Sequence, residues 1–338
     1  MISKTYRLTA PKQIEVAFGD ISLADGLIVR PKFLSICAAD QRYFQGLRPA
    51  GVLRKKLPMA LVHECCGVVA RDPSGAFKPG QKVLLVPNQP TGQPGVIRGN
   101  YAESSRFCAS GCDGFMQEYV AMPRDCLVPY SGLSDGVAAM AELISVAMHA
   151  VTTFLARAHE NRGRIAVFGD GNLGYIISLL LKTLAPKSEL HVFGIIDEKL
   201  SYFSFADYVH RADEPANLRV DHAFECVGGA VSGGVINHII NHLIQPEGTI
   251  MLMGVSEQPV PVDTRMVLER GLTLIGRSRS VTADFIEVRD LLEARPPLQD
   301  KLRMIIREII PVSSVAEMTA AFETDYTSPF KTVMEWKV

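Results

Sequence analysis

The chain has 338 residues, 47% hydrophobic and 21% charged, with a formal net charge of −1. That length supports two domains with their own cores, and a charge so near zero gives no general attraction to nucleic acid or to an acidic membrane surface. The first residues lack a secretory core and no apolar run approaches the roughly 20 residues of a spanning helix, so the expected location is the cytoplasm.

Residues 13–58 read as short strands, Ile14–Phe18 and Leu27–Leu34 among them, separated by polar turns. Cys37 follows the second of these in Ser35-Ile-Cys-Ala-Ala-Asp, and His63 and Glu64 follow in Leu61-Val-His-Glu-Cys-Cys-Gly. Strands continue through the Pro79-Gly80 turn, and residues 87–111, rich in Gly, Pro and Asn, read as a long surface loop. Ala138–Leu155 has helical periodicity and carries Glu142 and His149. Beyond Gly163, strands at Ile165–Phe168, Glu189–Gly194, His222–Cys226, Thr249–Gly254 and Leu272–Gly276 alternate with helical patterns, which implies a parallel, doubly wound sheet. Further helices begin near Thr282, and Lys331–Lys337 reads as a last strand. Seven cysteines, at 37, 65, 66, 108, 112, 126 and 226, form an irregular odd set suited to free thiols or metal ligands in a reducing compartment.

Gly169, Gly171 and Gly174 fall at G-x-G-x-x-G spacing between the strand Ile165–Phe168 and a helical pattern. Gly169 permits the tight turn, Gly171 lets backbone approach a pyrophosphate, and Gly174 lets the helix pack on the strand. The diphosphate would then sit on the free amides at Asn172 and Leu173. The same spacing also serves as a structural turn, but its place between strand and helix favours dinucleotide binding. An NAD-selective site carries an acid about 20 residues on, to hold the ribose 2′-hydroxyl. Here Gly194 stands there, leaving room for a 2′-phosphate that Lys199 would neutralise, so NADP(H) is expected; Asp197 would serve NAD in a shifted register.

Cys37, His63, Glu64 and Glu142 offer a thiolate, an imidazole and carboxylates, the ligand types zinc takes. Spacing alone does not separate a metal site from a buried thiol, a satisfied imidazole and two carboxylates. The surrounding blocks do. Ser35-Ile-Cys-Ala-Ala-Asp, Val62-His-Glu-Cys-Cys-Gly, Lys78-Pro-Gly-Gln-Lys-Val, Asp113-Gly-Phe-Met-Gln-Glu-Tyr-Val, Ala141-Glu-Leu-Ile-Ser-Val-Ala-Met-His-Ala and Phe224-Glu-Cys-Val-Gly-Gly together resemble the zinc-dependent medium-chain alcohol and polyol dehydrogenases. The resemblance implies an α/β chain with a GroES-like β-rich catalytic domain at 1–148 and 281–338 and a Rossmann domain at 149–280. It also implies a catalytic zinc held by Cys37, His63 and Glu142 with Glu64 in or near the shell, and a nicotinamide beside Cys226, Val227 and Gly228.

Four departures narrow the resemblance. Only Cys108 and Cys112 stand near the usual four-cysteine lobe, so a single zinc per chain is expected. Gly194 favours NADPH. Ala39 replaces a hydroxyl that would pass the alcohol proton, which leaves water or a substrate hydroxyl. Arg42 and Tyr43 follow Cys37, and Arg279 lies in Leu274-Ile-Gly-Arg-Ser-Arg-Ser, giving arginine forks that match a phosphate. For each arginine a surface ion pair is the competing reading.

With Gly271-Leu-Thr-Leu-Ile-Gly-Arg-Ser-Arg-Ser and Asp221-His-Ala-Phe-Glu-Cys-Val-Gly-Gly added, the chain resembles the NADPH-dependent ribulose-5-phosphate reductases, or ribitol-5-phosphate dehydrogenases. That resemblance implies reduction of a phosphorylated pentulose, D-ribulose 5-phosphate, for CDP-ribitol and so for teichoic acid or capsule. It further implies a homodimer, with Ile250–Val255 or Leu272–Ile275 as candidate edges, and association with a ribitol-5-phosphate cytidylyltransferase. Two alternatives remain at this point: an NAD(P)-dependent dehydrogenase of an unphosphorylated polyol or amino alcohol, and a non-catalytic NADPH-binding regulator.

Overall fold

In the computed structural model, which describes residues 1–21, 27–90, 95–214 and 217–338, the chain divides into one unit of Met1–Ser145 with Arg279–Val338 and another of Val146–Ser278. Residues 91–94, within the loop expected at 87–111, lie outside the described residues.

The first unit is built on the strand Leu27–Ser35, whose apolar residues are buried along most of its length. A strand apolar on both faces belongs inside a sheet, and this one pairs antiparallel with Glu64–Arg71, with Lys331–Trp336 and with Val120–Met122. Ile306–Val312, largely exposed, closes one edge beside Lys331–Trp336, while Lys82–Leu85 and Leu127–Pro129 extend the other. A smaller sheet holds Gln13–Asp20, Ile2–Ala10 and Met59–Ala60. Trp336 joins the layers: its ring meets Tyr6 edge-on at 5.5 Å, and its Nε1 donates to the Gln117 carbonyl at 2.8 Å. A buried indole with its N–H satisfied keeps its full hydrophobic contribution.

The second unit is a six-stranded, wholly parallel sheet in the order Tyr208–Arg211, Glu189–Gly194, Arg164–Phe168, Val220–Glu225, Ile244–Leu252, Thr273–Gly276. This is the doubly wound arrangement, in which the chain starts in the middle and reverses direction across the sheet, leaving a crevice at the strand ends. Phe168, Phe193, Ala223, Ile240 and Ile250 form its core with the flanking helices.

Three details differ from expectation. Between Glu189–Gly194 and the next core strand the chain makes only a four-residue helix, Asp197–Leu200, and then an edge strand, Tyr208–Arg211, that hydrophobic periodicity did not indicate. Its Tyr-Val-His-Arg sequence is largely polar because, among the described residues, no strand pairs with one side of it. The helix expected at Ala138–Leu155 is two, Asp135–Ala139 and Ala141–Arg157. Of the two candidate dimer edges, Ile244–Leu252 is an interior strand and only Thr273–Gly276 lies at an edge.

Sheet register in the first unit has a chemical outcome. Val333 opposes Ser35, and Ser35 opposes Glu64, so the start of the last strand arrives beside Glu64. Lys331 Nζ donates to Glu64 Oε1 at 2.5 Å and to the Ile36 carbonyl at 2.9 Å, with both charged side chains almost wholly buried. Removing one member of such a pair strands the other. Lys331→Met should lower unfolding free energy by about 3–5 kcal/mol, read from the urea midpoint, and adding Glu64→Gln should restore most of the loss. A Lys331→Met chain as stable as its parent would show that Glu64 does not depend on this lysine.

Candidate active site

Cys37 caps the helix Ala38–Phe44 directly after the central strand, with its backbone N–H donating to Asp40 Oδ2 at 3.1 Å. Asp40 Oδ1 accepts from the Val62 N–H at 2.9 Å and lies 3.6 Å from His63 Nδ1. Val62 has φ +66, a costly conformation for a β-branched residue. Its N–H is held by Asp40, and its carbonyl accepts from the Phe115 N–H at 2.7 Å. This strained residue sets the direction of the next one, His63, whose Nε2 lies 4.0 Å from Glu142 Oε2.

The donor atoms fall into two overlapping groups, Cys37 with Asp40 and His63, and His63 with Glu64 and Glu142, each within 4.8 Å of one another. His63 is common to both, and Cys37 and Glu142 are not members of one group. All but Cys37 are buried, and Glu64 Oε2 has no hydrogen-bond partner among the described residues. Burial alone would lower the His63 imidazole, but Asp40 and Cys37 outweigh it and hold it well above its ordinary value. Burial pushes the Glu142 carboxyl up to about 7, with Glu64 adding to the rise and His63 opposing it. Both directions mean that the cluster draws in positive charge. Sulfur, nitrogen and oxygen donors with an unsatisfied carboxylate oxygen suit zinc, and a carboxylate on the far nitrogen of a ligating histidine is the usual way of fixing its ring. The residues present fit the ion.

Sequence reading did not find Asp40 or Lys331. The first had a local signal, since Asp40 is three residues after Cys37 and completes a capping box. The second had none, being 267 residues from its partner. Glu64 therefore faces Lys331 as well as the cluster.

In the second unit, a Cβ on Gly174 would meet the Gly169 carbonyl oxygen at 2.0 Å, and one on Gly169, at φ +124, would meet the Cys226 backbone at 3.0 Å. Those two glycines are needed for packing and turn. Gly171 has no neighbour within 4 Å and an ordinary φ of −86, so the protein itself imposes no glycine there. Gly171 caps the helix Asn172–Leu184 with no side-chain hydrogen bond, leaving space and free amides where Asn172 and Leu173 begin the helix. This arrangement fits a dinucleotide diphosphate.

Gly194 is constrained by Asp170, whose Cβ would lie 2.6 Å from an added methyl. The Asp170 carboxylate accepts from the Ile195 and Ile196 N–H groups at 2.8 and 2.9 Å. Asp197, the alternative NAD ligand, is taken by Arg211 Nη1 at 2.6 Å. Arg211 itself lies opposite Gly194 at the end of the missed edge strand, a basic group that sequence reading overlooked with that strand. Lys199 is half-buried on the short helix Asp197–Leu200. At the other strand ends, Glu225 accepts from the Val227, Gly228 and Gly254 N–H groups at 2.9, 2.8 and 3.2 Å. It thereby fixes the Cys226–Gly228 turn, with Gly228 at φ +68.

Arg279 has φ +57, and its guanidinium lies 4.8 Å over the Phe107 ring, which packs 5.3 Å from the His63 ring. Ser280 next to it shares a 2.7 Å hydrogen bond with Ser145, whose Oγ donates to the Glu142 carbonyl at 2.6 Å. Arg279 is thereby brought toward the donor cluster around His63. Arg42 lies half-buried on the helix Ala38–Phe44. Tyr43 is 4% exposed with the Arg48 guanidinium 4.9 Å over its ring, an environment of packing.

Comparison with known proteins agrees with this geometry. Residues 24–132 match the alcohol dehydrogenase GroES-like domain. The chain is 48% identical to a ribulose-5-phosphate reductase of Bacillus spizizenii over 100% of both chains, and 46% identical to ribulose-5-phosphate reductase 2 of Staphylococcus aureus, again over 100% of both. The crystal structure of S. aureus TarJ in complex with NADPH superposes with a TM-score of 0.89 at 43% identity, covering 100% of each chain. Galactitol-1-phosphate dehydrogenase from Escherichia coli, 19% identical with a TM-score of 0.80, shares the fold. With a strained Val62 ahead of its histidine, a glycine loop that opens onto a helix start and this identity along its whole length, the chain belongs to the ribulose-5-phosphate reductases, a branch of the medium-chain dehydrogenases.

Proposed function

We propose that the protein reduces D-ribulose 5-phosphate to D-ribitol 5-phosphate with NADPH and one zinc per chain. The observation that carries this reading is the half-buried thiol beside a buried imidazole and carboxylates, with a Glu64 oxygen that has no partner among the described residues, a donor set for zinc and hence for carbonyl chemistry. The substrate follows from relatives named as ribulose-5-phosphate reductases, and the cofactor from the NADPH-bound relative.

Cys37, His63 and Glu142 would hold the ion with Glu64 at its margin. When bound, zinc supplies Lewis acidity toward the C2 carbonyl oxygen and NADPH supplies the hydride. The remaining work belongs to the chain. Asp40 keeps the His63 ring turned, Lys331 holds Glu64 in place through its Oε1, and the amides after Gly171 hold the diphosphate. Arg211 and Lys199 offer charge to the 2′-phosphate. Arg279, with Arg42, offers guanidinium donors to the sugar phosphate, whose fork geometry suits them. Ala39 has no hydroxyl to give, so the proton that completes the alcohol comes from water or a neighbouring substrate hydroxyl.

The product would feed CDP-ribitol for teichoic acid or capsule through a ribitol-5-phosphate cytidylyltransferase acting beside this enzyme in the cytoplasm. The free state of all seven cysteines accords with a reducing compartment. A second copy pairing along the open edge Thr273–Gly276 would give a homodimer.

Loss of NADPH absorbance with D-ribulose 5-phosphate, set beside D-ribulose and NADH and repeated with a zinc chelator, tests the reading directly. Turnover that ignores the phosphate, or that survives complete metal removal, would overturn it. Cys37→Ser should reduce turnover to background while NADPH still binds by fluorescence; full activity in a zinc-free variant would reject the metal assignment. Arg211→Gln should cut the preference for NADPH over NADH by about tenfold or more, since hydrogen bonds to charged groups contribute about 1.5–3 kcal/mol; an unchanged ratio assigns the 2′-phosphate elsewhere. Arg279→Ala should raise KM for the phosphorylated substrate about 10–100-fold on the same scale, with little effect on unphosphorylated ribulose.

A further inference from the structure

Most of the remaining cysteines are chemically quiet. Burial pushes the Cys66 and Cys126 thiols up to about 12 and raises Cys65 and Cys226 well above the ordinary thiol value. Cys108 and Cys112 differ. After the two-residue strand Arg106–Phe107 the chain turns back on itself: the Ser110 and Gly111 N–H groups both donate to the Phe107 carbonyl, and the Ala109 N–H donates to the Cys112 carbonyl at 3.0 Å. Ala109 takes φ +58 to close the loop, and Cys108 and Cys112 become backbone bridge partners. Bridge partners stand about 5 Å apart between Cα atoms, inside the range a disulfide spans without moving the backbone.

The two sulfurs have unequal surroundings. Cys108 is 3% exposed and accepts a 3.4 Å hydrogen bond from Gln89 Nε2. Cys112 is half-buried and lines a recess of about 550 Å³ together with Arg7, Lys55, Lys56 and Arg106. Asp113, the acid of that recess, is held by Arg7 at 2.6 Å. The neighbouring Cys108 thiol, with Arg106, lowers the Cys112 thiol to about 6, against burial and the Asp113 charge, while Cys108 is raised. An accessible thiolate beside a buried partner is the arrangement of a reactive and a resolving cysteine.

We infer that Cys112 and Cys108 form a peroxide-oxidisable pair that closes into a reversible disulfide and thereby adjusts the Phe107 wall against His63. The Cys112 thiolate attacks a peroxide oxygen; an S–O bond forms, the O–O bond breaks, and the departing hydroxide takes a proton to leave as water. The Cys108 sulfur then attacks the Cys112 sulfenic sulfur. The S–S bond forms, the S–O bond breaks, and hydroxide leaves with the Cys108 proton as a second water. The dithiol gives up two electrons, which reduce the peroxide. Phe107 immediately precedes Cys108, packs on the His63 ring and carries the Arg279 guanidinium, so closing the loop is felt by both.

The zinc-loaded full chain, treated with hydrogen peroxide at increasing ratios, should lose two alkylatable thiols first from the peptide holding Cys108 and Cys112. Dithiothreitol should restore both. Cys108→Ser should stop at a Cys112 sulfenic acid that dimedone traps, and Cys112→Ser should slow the first oxidation by tenfold or more. In the oxidised parent, KM for the carbonyl substrate should shift and return on reduction, and in Cys108→Ser/Cys112→Ser peroxide should leave it unchanged. Alkylation of both cysteines after oxidation elsewhere, or equal peroxide sensitivity in the double variant, overturns the inference. The mass readout depends on no substrate, so it stands apart from the assignment of ribulose 5-phosphate.

Discussion

Carboxylates removed from water must be matched by positive charge, and the first unit is arranged around that demand. Glu64 has one oxygen on Lys331 and the other without a partner among the described residues, and Glu142 and Asp40 are buried beside it. No arrangement of apolar side chains could stabilise this group of acids. One lysine and one imidazole can, and a divalent ion held there would add to them. The sheet register, the strained Val62 and the capping of Cys37 all serve to bring these charges together, and the hydrophobic core supplies the dry, rigid frame in which their geometry holds.

The second unit depends on a different constraint, close approach of backbone to backbone. Gly169, Gly174 and Gly194 each sit where a methyl group would strike a neighbouring strand, loop or side chain, so their identity follows from the fold. Gly171 meets nothing. A motif that reads as one unit in the sequence therefore separates into residues that shape the turn and one that keeps a space open, which is the distinction between building a helix start and leaving it available to an anion.

Much of this was legible beforehand, and the reasons are physical. Apolar runs bounded by glycine turns marked the interior strands of the parallel sheet, because a strand buried on both faces has to be apolar. The edge strand Tyr208–Arg211 escaped for the opposite reason, and Arg211 with it. Cys37, His63 and Glu142 were singled out through the short blocks around them, and the chain gathers them about His63, yet nothing in those blocks pointed to the lysine that pairs with Glu64. Asp40 carried a local signal in its capping position, but its carboxylate works on His63, a contact that exists only once the chain has folded. Tyr43 was read from its place beside Arg42, whereas its ring is packed beneath Arg48. Periodicity reports which side of an element is dry; it does not report which charge will meet which across hundreds of residues.

The separation of Glu64 from Lys331 also orders the protein's biosynthesis. Vectorial folding from the N-terminus exposes Cys37, His63 and Glu64 early, while the lysine emerges only after the entire second unit, Val146–Ser278, has been made. A nascent chain that has already paired its central strands has no Lys331 to set against Glu64, so that carboxylate keeps its water until the last strand docks. Folding of the parallel-sheet unit thus precedes completion of the buried acid cluster, and a ribosome-bound intermediate would hold a formed Rossmann sheet while Glu64 is still hydrated.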